Sequence, residues 1–179
     1  MQGSFVANFV DDHFCHDGLG LSADVGTGLA LLTALAPPDL TTGAASLVAK
    51  ACTNPDVTKS MVHISTADAK QKVTYKAAQD VVATYVTHAA CGVDPTGLMS
   101  PFSELNQLVV DIVPPQHGTE TDCEVDLASC TTALDARQFQ PTYTSPFYKA
   151  ALNHLDLTFR YGDGDGDDQK PVAWFECLL

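Results

Sequence analysis

The chain has 179 residues, of which 45% are hydrophobic and 17% charged, and 22 acidic residues against 9 basic ones give a formal net charge of −13. This length predicts a single domain, 1–179, and the hydrophobic fraction excludes an intrinsically disordered chain. The net charge excludes a protein that binds nucleic acid by neutralising phosphates, because the chain would repel them.

Short apolar segments separated by polar or glycine-rich ones make up the first part of the chain. Ser4–Val10 is apolar and β-prone, which predicts a short strand. Leu29–Ala36, which ends at two prolines, and residues 43–52 predict two short helices in a hairpin. Ser60–Ser65 alternates between polar and apolar residues and predicts a second strand.

The strongest helical pattern covers residues 67–90 and ends at Cys91–Gly92, a typical C-terminal pair. Apolar residues recur there at four-residue steps, which predicts one apolar face along the helix. They are Val73, Ala77, Val81, Tyr85 and Ala89.

A further helix is predicted to begin at Ser100–Pro101, with serine as the N-cap, and to end before Pro114–Pro115. Its apolar stripe consists of Leu105, Leu108, Val109 and Ile112. Residues 116–140 are polar and acidic, which predicts a long loop with one helical turn near Leu127–Leu134.

The C-terminal part of the chain predicts a helix followed by a β-hairpin. Ser145–Pro146 repeats the capping signal before a short helix, Phe147–Asn153. Leu155–Tyr161 alternates strictly, and after a Gly/Asp turn Val172–Leu179 is rich in apolar residues, so both are predicted strands. The sequence therefore predicts an α+β fold of several short to medium helices with a small antiparallel sheet that includes this hairpin.

The predicted hairpin carries apolar side chains on both faces, since Trp174 and Phe175 are neighbours in one strand and Phe159 lies in the other. A lone hairpin cannot bury both faces, so it has to join a larger sheet or another subunit. Trp174, Phe175 and Phe159 are therefore predicted assembly residues.

No Cys-x-x-Cys pair occurs, so a zinc ribbon or a thioredoxin-type site is not predicted. The cysteine density favours buried free thiols, but every cysteine stays open as a disulfide partner. Cys123 and Cys130 can pair only in a loop or hairpin, because seven helical residues span roughly 10 Å. The six cysteines are Cys15, Cys52, Cys91, Cys123, Cys130 and Cys177.

Two segments are candidate metal sites. The candidate ligands are His13, Cys15 and His16 in the first and Asp163, Asp165 and Asp167 in the second. The first offers every ligand type that transition metals prefer, but its histidines face together only on a helix, so a polar loop is favoured. The second lacks the glycine and glutamate of an EF-hand loop, so a solvated turn is favoured over a calcium site.

No nucleophile elbow, zinc-protease helix, P-loop or complete dinucleotide fingerprint occurs. The sequence therefore predicts no catalytic residue and no cofactor, and favours a protein that is not an enzyme. The alternative is a dispersed site that the fold assembles from cysteine and histidine side chains.

Residues Phe139–Leu179 carry a family resemblance. The order Ser145-Pro-Phe-Tyr-Lys-Ala-Ala151, an alternating strand, a Gly/Asp turn and a second strand resembles the helix-and-hairpin stretch of hemolysin-coregulated and phage tail-tube proteins. The resemblance covers less than a quarter of the chain and assigns no residue a role. It implies a subunit of a tube.

The leading hypothesis is a non-enzymatic structural subunit that assembles with copies of itself and other subunits, such as a phage tail, neck or head component. The chain has no apolar run of about 20 residues and no signal-peptide pattern, which predicts a cytoplasmic or virion location without membrane partners. The alternatives are a small α+β enzyme or ligand-binding domain with a dispersed Cys/His site, and an accessory subunit of a larger complex.

Overall fold

A computed structural model describes residues 63–65, 67–100, 103–112 and 118–178. The elements in these ranges are α1 (Ala69–Tyr85), β1 (Ala89–Gly92), α2 (Ser103–Ile112), α3 (Leu127–Cys130), β2 (Phe147–Ala150) and α4 (Pro171–Glu176), with 3-10 turns at Ala136–Gln138 and Asp156–Thr158. The predictions for Ser4–Val10, Leu29–Ala36 and residues 43–52 lie outside the described residues. Of Ser60–Ser65, only residues 63–65 are described, and they form no strand.

The sheet in the described residues has two strands, β1 and β2, which pair in parallel from Ala89 opposite Phe147 to Gly92 opposite Ala150. Parallel strands need a long connection, and residues 93–146, with α2 and α3, provide it. The prediction of an antiparallel sheet is therefore wrong, and so is the predicted helix at Phe147–Asn153, because β2 lies there. The coarser α+β class is confirmed.

The predicted C-terminal hairpin is also wrong, because side chains near each segment direct the backbone into turns. The Asn153 side chain accepts the N–H groups of Leu155 and Asp156 and begins the 3-10 turn inside Leu155–Tyr161. Pro171 starts α4, where the Asp163 carboxylate accepts backbone N–H groups of the first turn. Hydrogen bonds from nearby side chains thus determine the backbone conformation of these segments more strongly than a short alternating pattern does.

Helix α1 confirms the strongest helical prediction but ends at Tyr85, so Cys91–Gly92 lies in β1 instead of at a helix end. Its start is a capping box between Asp68 and Gln71. The predicted apolar face is not buried: Val73 and Tyr85 expose 73% and 75% of their surface, while Tyr75 exposes 6%. Four-residue steps drift roughly 40° each around a helix, so the pattern leaves the buried face.

The two helical segments between the strands follow the sequence predictions. Helix α2 begins at Ser103, whose N–H donates to the Ser100 carbonyl, three residues after the predicted cap. Helix α3 confirms the predicted helical turn, and its N-cap Asp126 accepts the N–H of Ser129 at 2.7 Å. None of the described helices is long and apolar enough to cross a membrane.

The core of the described residues surrounds β2 and the segment that follows it. Its buried members are Leu98, Tyr148, Ala150, Leu152 and Trp174. The Tyr148 hydroxyl donates to the Asp167 carbonyl and accepts the N–H of Lys170, which fastens the loop before α4 to β2. Burial raises the pKa of Tyr148 to about 12, so this hydroxyl keeps its proton.

Candidate functional site

A cleft of about 590 Å³ is lined by α1, β1, the segment around α3 and residues just after β2. Tyr75 and Val82 of α1 and Leu157 contribute much of the apolar lining. Asp122, Ser129 and His154 contribute polar side chains. This volume lies in the range of small-molecule sites, which typically combine a mostly apolar lining with a few fixed polar groups.

A disulfide between Cys91 of β1 and Cys130 of α3 forms one wall of this cleft. The two Cα atoms lie 6.0 Å apart, and the sequence separation is 39 residues. Cys123 and Cys177 are free thiols, which is the state that the cysteine density favours. Cys15 and Cys52 lie outside the described residues.

His154 is fixed at the cleft by two hydrogen bonds to Asp122. Its backbone N–H donates to the Asp122 carbonyl at 2.7 Å, and ring Nδ1 lies 2.8 Å from Asp122 Oδ2. Asp122 Oδ1 accepts the N–H groups of Glu124 and Val125, so the carboxylate itself is fixed. Ring Nε2 lies 3.7 Å from a Glu124 oxygen, so the imidazole sits between two carboxylates.

Gly92 allows this close arrangement. It ends β1, and a Cβ added at this position would lie 2.7 Å from the Asp122 Cβ and would also meet the Leu152 carbonyl. The absence of a side chain at Gly92 lets the Asp122 segment and the segment after β2 approach the same strand end. His154 follows Leu152 by two residues, so this approach brings His154 to Asp122.

The environment of His154 favours its protonated form. Burial by itself lowers the pKa of the ring, but the hydrogen bond and charge of Asp122, together with the charge of Glu124, raise that pKa above its ordinary value of 6.5. The ring therefore keeps its proton to a higher pH than an ordinary histidine does.

Stability is expected to fall as the pH rises through the folded-state pKa of His154. Because this pKa is raised, the folded state holds the ring proton more tightly than the unfolded chain. The resulting stabilisation is complete below pH about 6.5 and is lost above the folded-state pKa. Urea unfolding at a series of pH values from about 5.5 to 8.5 measures the slope.

His154→Gln should flatten that slope, because glutamine carries no titrating proton. His88 supplies the matched control, since it is exposed and its ring bonds to Thr87 rather than to a carboxylate. His88→Gln should keep the wild-type slope. Equal slopes in wild type and His154→Gln would show that the Asp122–His154 pair does not couple folding to pH.

Ser129 lines the same cleft, but its hydroxyl oxygen is buried. Its side chain belongs to a residue that is 6% exposed, and Oγ is buried with no hydrogen-bond partner among the described residues. A buried polar group without a partner costs about 1–3 kcal/mol. The Oγ atom has almost no accessible surface, so this cost belongs to the fold and offers no contact to a ligand.

The metal candidates from the sequence do not form this site. His13, Cys15 and His16 lie outside the described residues. Asp163, Asp165 and Asp167 lie in the loop before α4, and in the described ranges no three His, Cys, Asp or Glu side chains are placed to hold a metal ion. Asp163 caps α4 instead, by accepting the N–H of Val172 at 2.8 Å.

The predicted assembly residues lie in different surroundings. Trp174 is 8% exposed, belongs to the core and donates its indole N–H to the Ser145 carbonyl. Phe159 and Phe175 stay 38% and 45% exposed, and their ring centroids are 5.3 Å apart. Of the three predicted assembly residues, only Phe159 and Phe175 are therefore presented on the surface.

Sequence reasoning does not single out Asp122, Glu124 or Ser129, and it covers His154 only through the general alternative of a site assembled from cysteine and histidine side chains. Asp122 and His154 are 32 residues apart, and no motif spacing connects them. The available signal is weak: two acids flank Cys123, and a capping Asp126 follows.

No protein-family model, curated protein or solved structure matches the chain. The resemblance to tube proteins stays a prediction, and the functional argument rests on the geometry of the cleft.

Proposed function

We propose that this protein is a small ligand-binding α+β domain whose cleft beside the Cys91–Cys130 disulfide receives the ligand. The observation that carries the proposal is the fixed Asp122–His154 pair, which lines a largely apolar cleft. Apolar area supplies affinity in such sites, while a few fixed polar groups set the orientation of the ligand.

The site favours binding over nucleophilic catalysis. The Asp122 carboxylate at Nδ1 orients the His154 ring and leaves Nε2 to exchange protons with a bound group. Cys123 does not act as the nucleophile, because burial raises the pKa of its thiol to about 12 and keeps it protonated. Cys91 and Cys130 are already oxidised to the disulfide.

The disulfide also supports a proposal about the compartment. Structural disulfides form and persist in oxidising environments, while the cytosol keeps most thiols reduced. The Cys91–Cys130 bond ties β1 to α3 at the wall of the cleft. We therefore propose that the domain works in an oxidising compartment.

Ligand binding is expected to perturb the cleft and to leave the rest of the domain unchanged. Uniformly ¹⁵N-labelled protein, titrated with a set of small aromatic fragments of each charge type, should show saturable amide shifts at Cys91, Ser129 and His154. His154→Gln should weaken the best fragment about tenfold, because a fixed hydrogen-bond partner is lost. Thr144→Ala, at an exposed loop position, is the control and should bind like wild type.

Two results would show that the cleft is not the ligand site. One is that no fragment produces saturable shifts at these residues at millimolar concentration. The other is that His154→Gln binds every fragment as tightly as wild type.

The structural-subunit hypothesis is the second candidate, and the exposed face of α1 supports it. Val73, Val81 and Tyr85 are exposed there although they are large and apolar. The same helix carries three of the nine basic residues of an acidic chain, at Lys70, Lys72 and Lys76. An apolar face flanked by lysines complements the acidic surface of a second copy of this chain, which we propose as its partner.

Self-association is expected to depend on this face. Sedimentation velocity over a range of concentrations should show wild-type oligomers, and the pair Val81→Glu and Tyr85→Glu should give a monomer. Thr144→Glu, outside α1, controls for the added charge and should keep the wild-type distribution. A wild-type protein that stays monomeric at the highest concentration would exclude the second candidate.

A further inference from the structure

We propose that the Cys91–Cys130 disulfide regulates the cleft: a ligand binds while the bond is intact, and reduction releases α3 and weakens binding. This inference rests on the proposed function and adds the regulation of the same site. Three features of the described residues carry it. They are an α3 without an apolar anchor, two buried polar atoms without partners at its start, and the position of the disulfide in the cleft wall.

Helix α3 depends on the disulfide for its position. Its buried residue is Ser129, and none of its four residues belongs to the hydrophobic core of the described part of the chain. The N–H groups of Cys130 and Thr131 donate to carbonyls of the same segment, so they fix the helical turn but not its position. A helix of four residues has little stability of its own, so the covalent bond to β1 is the main constraint on its place in the fold.

Two buried polar atoms at the start of α3 oppose its docking. Asp126 is 1% exposed and Ser129 is 6% exposed. Asp126 Oδ2 and Ser129 Oγ have no hydrogen-bond partner among the described residues. Each atom gives up its bonds to water when α3 docks and gains none, which costs free energy. Release of α3 returns both atoms to water, so the docked position has to be held by another interaction.

The disulfide lies where a reductant reaches it and where its loss changes the site. Cys91 is 1% exposed, but Cys130 is partly exposed, and both residues line the cleft. Of the two residues, Cys130 is therefore the one that a reductant attacks. Ser129 and Ala133 line the cleft on either side of Cys130, so a displaced α3 removes part of one wall.

The regulatory step is a thiol–disulfide exchange with a dithiol reductant. A thiolate of the reductant attacks the Cys130 sulfur, the bond to Cys91 breaks, and the Cys91 sulfur leaves as a thiolate that takes up a proton. The second thiolate of the reductant then attacks the reductant sulfur of this mixed disulfide, which frees the Cys130 thiol. Two electrons and two protons pass from the dithiol to the chain, and the reductant becomes a disulfide. In an oxidising compartment the Cys91–Cys130 bond persists and the cleft stays complete.

Backbone ¹⁵N relaxation of the full chain, with and without excess dithiothreitol, tests the release of α3 without any ligand. The N–H order parameters of Ser129, Cys130 and Thr131 should fall below about 0.6 on reduction. Those of Val93 and Trp174, whose N–H groups are bonded outside this segment, should stay near about 0.85. Unchanged values at α3, or an equal fall at all five amides, would overturn the inference, because reduction then releases nothing or unfolds the whole domain.

The aromatic fragment that binds the oxidised chain best then tests the effect on the cleft. Reduction should weaken this fragment at least about tenfold, and reoxidation with oxidised glutathione should restore its affinity. The matched control is the double variant Cys91→Ala and Cys130→Ala, which should bind as weakly as the reduced chain whether or not dithiothreitol is present.

The outcomes separate this inference from the proposed function. If the reduced chain binds the fragment as tightly as the oxidised chain, the regulation is wrong and the ligand site stands. If no fragment binds the oxidised chain, the proposed function fails, and the regulation of binding fails with it.

Discussion

Loss of the Cys91–Cys130 disulfide is expected to lower the free energy of unfolding by about 4 kcal/mol. The bond joins residues separated by 39 positions, so it removes much of the conformational freedom of the unfolded chain. It also holds α3 against β1, and a helix of four residues has little stability of its own. The wall of the cleft should loosen together with the fold.

Urea unfolding of the double variant Cys91→Ala and Cys130→Ala, followed by circular dichroism, measures this loss. Alanine suits the buried Cys91, because it leaves no unpaired polar atom. Cys177→Ser is the control, since Cys177 is exposed and free, and it should unfold like wild type. If the double variant does not fold, wild-type protein with and without reductant provides the comparison. A difference below about 1 kcal/mol would contradict the assigned role of the bond.

Asp156→Ala is expected to lower the free energy of unfolding by about 2–4 kcal/mol, because it leaves two buried N–H groups without acceptors. The Asp156 carboxylate is fully buried, and its Oδ2 accepts the N–H groups of Leu98 at 2.8 Å and Asn153 at 3.2 Å. These bonds connect the segment before α2 to the 3-10 turn after β2. Gly97 lies against the same carboxylate, so no side chain is tolerated there.

The negative charge of Asp156 destabilises the folded state. Burial raises the pKa of this carboxyl above its ordinary value of 3.8, although the two N–H donors oppose the shift, and the charge of Asp94 raises it further. Because the folded state then holds the carboxyl proton more tightly, the proton-linked part of the stabilisation is complete below pH about 4. That part is lost as the pH rises through the folded-state pKa, while the two hydrogen bonds to Oδ2 remain.

Asp156→Asn separates the hydrogen bonds from the charge. Asparagine keeps an oxygen for both N–H groups and places its amide nitrogen where Oδ1 has no partner. We expect it to unfold at a higher urea concentration than Asp156→Ala and to lose the pH dependence that Asp156 contributes. Equal losses in the two variants, measured at the same pH, would show that the acceptor oxygen does not matter.

The local sequence was sufficient to predict a helix where the residues at its start supply the capping hydrogen bonds. Asp68 and Gln71 form the capping box of α1, and Asp126 caps α3, so each signal lies within three residues of the group it satisfies. Such bonds form whatever the rest of the chain does, and they are readable in one sequence. The buried side of α1 was not readable, because it depends on which segments lie against Tyr75.

The C-terminal segment shows where local patterns compete. Leu155–Tyr161 alternates as a strand does, but a strand needs a neighbour to pair with, and the Asn153 side chain provides backbone hydrogen bonds at once. Residues 147–150 lack an alternating pattern of any length, yet they form β2 because β1 is available beside them. Intrinsic strand or helix propensity therefore explains the conformation of neither segment.

Composition, periodicity and caps were enough to predict the acidic balance, the α+β class and the approximate positions of α1, α2 and α3. The site could not be predicted in this way, because the tertiary structure joins partners from distant segments: Cys91 with Cys130, and Asp122 with His154. The parallel pairing of β1 and β2 brings those segments together. That pairing is made by backbone hydrogen bonds, which every residue type except proline can both donate and accept, so its partner and register leave little trace in the sequence.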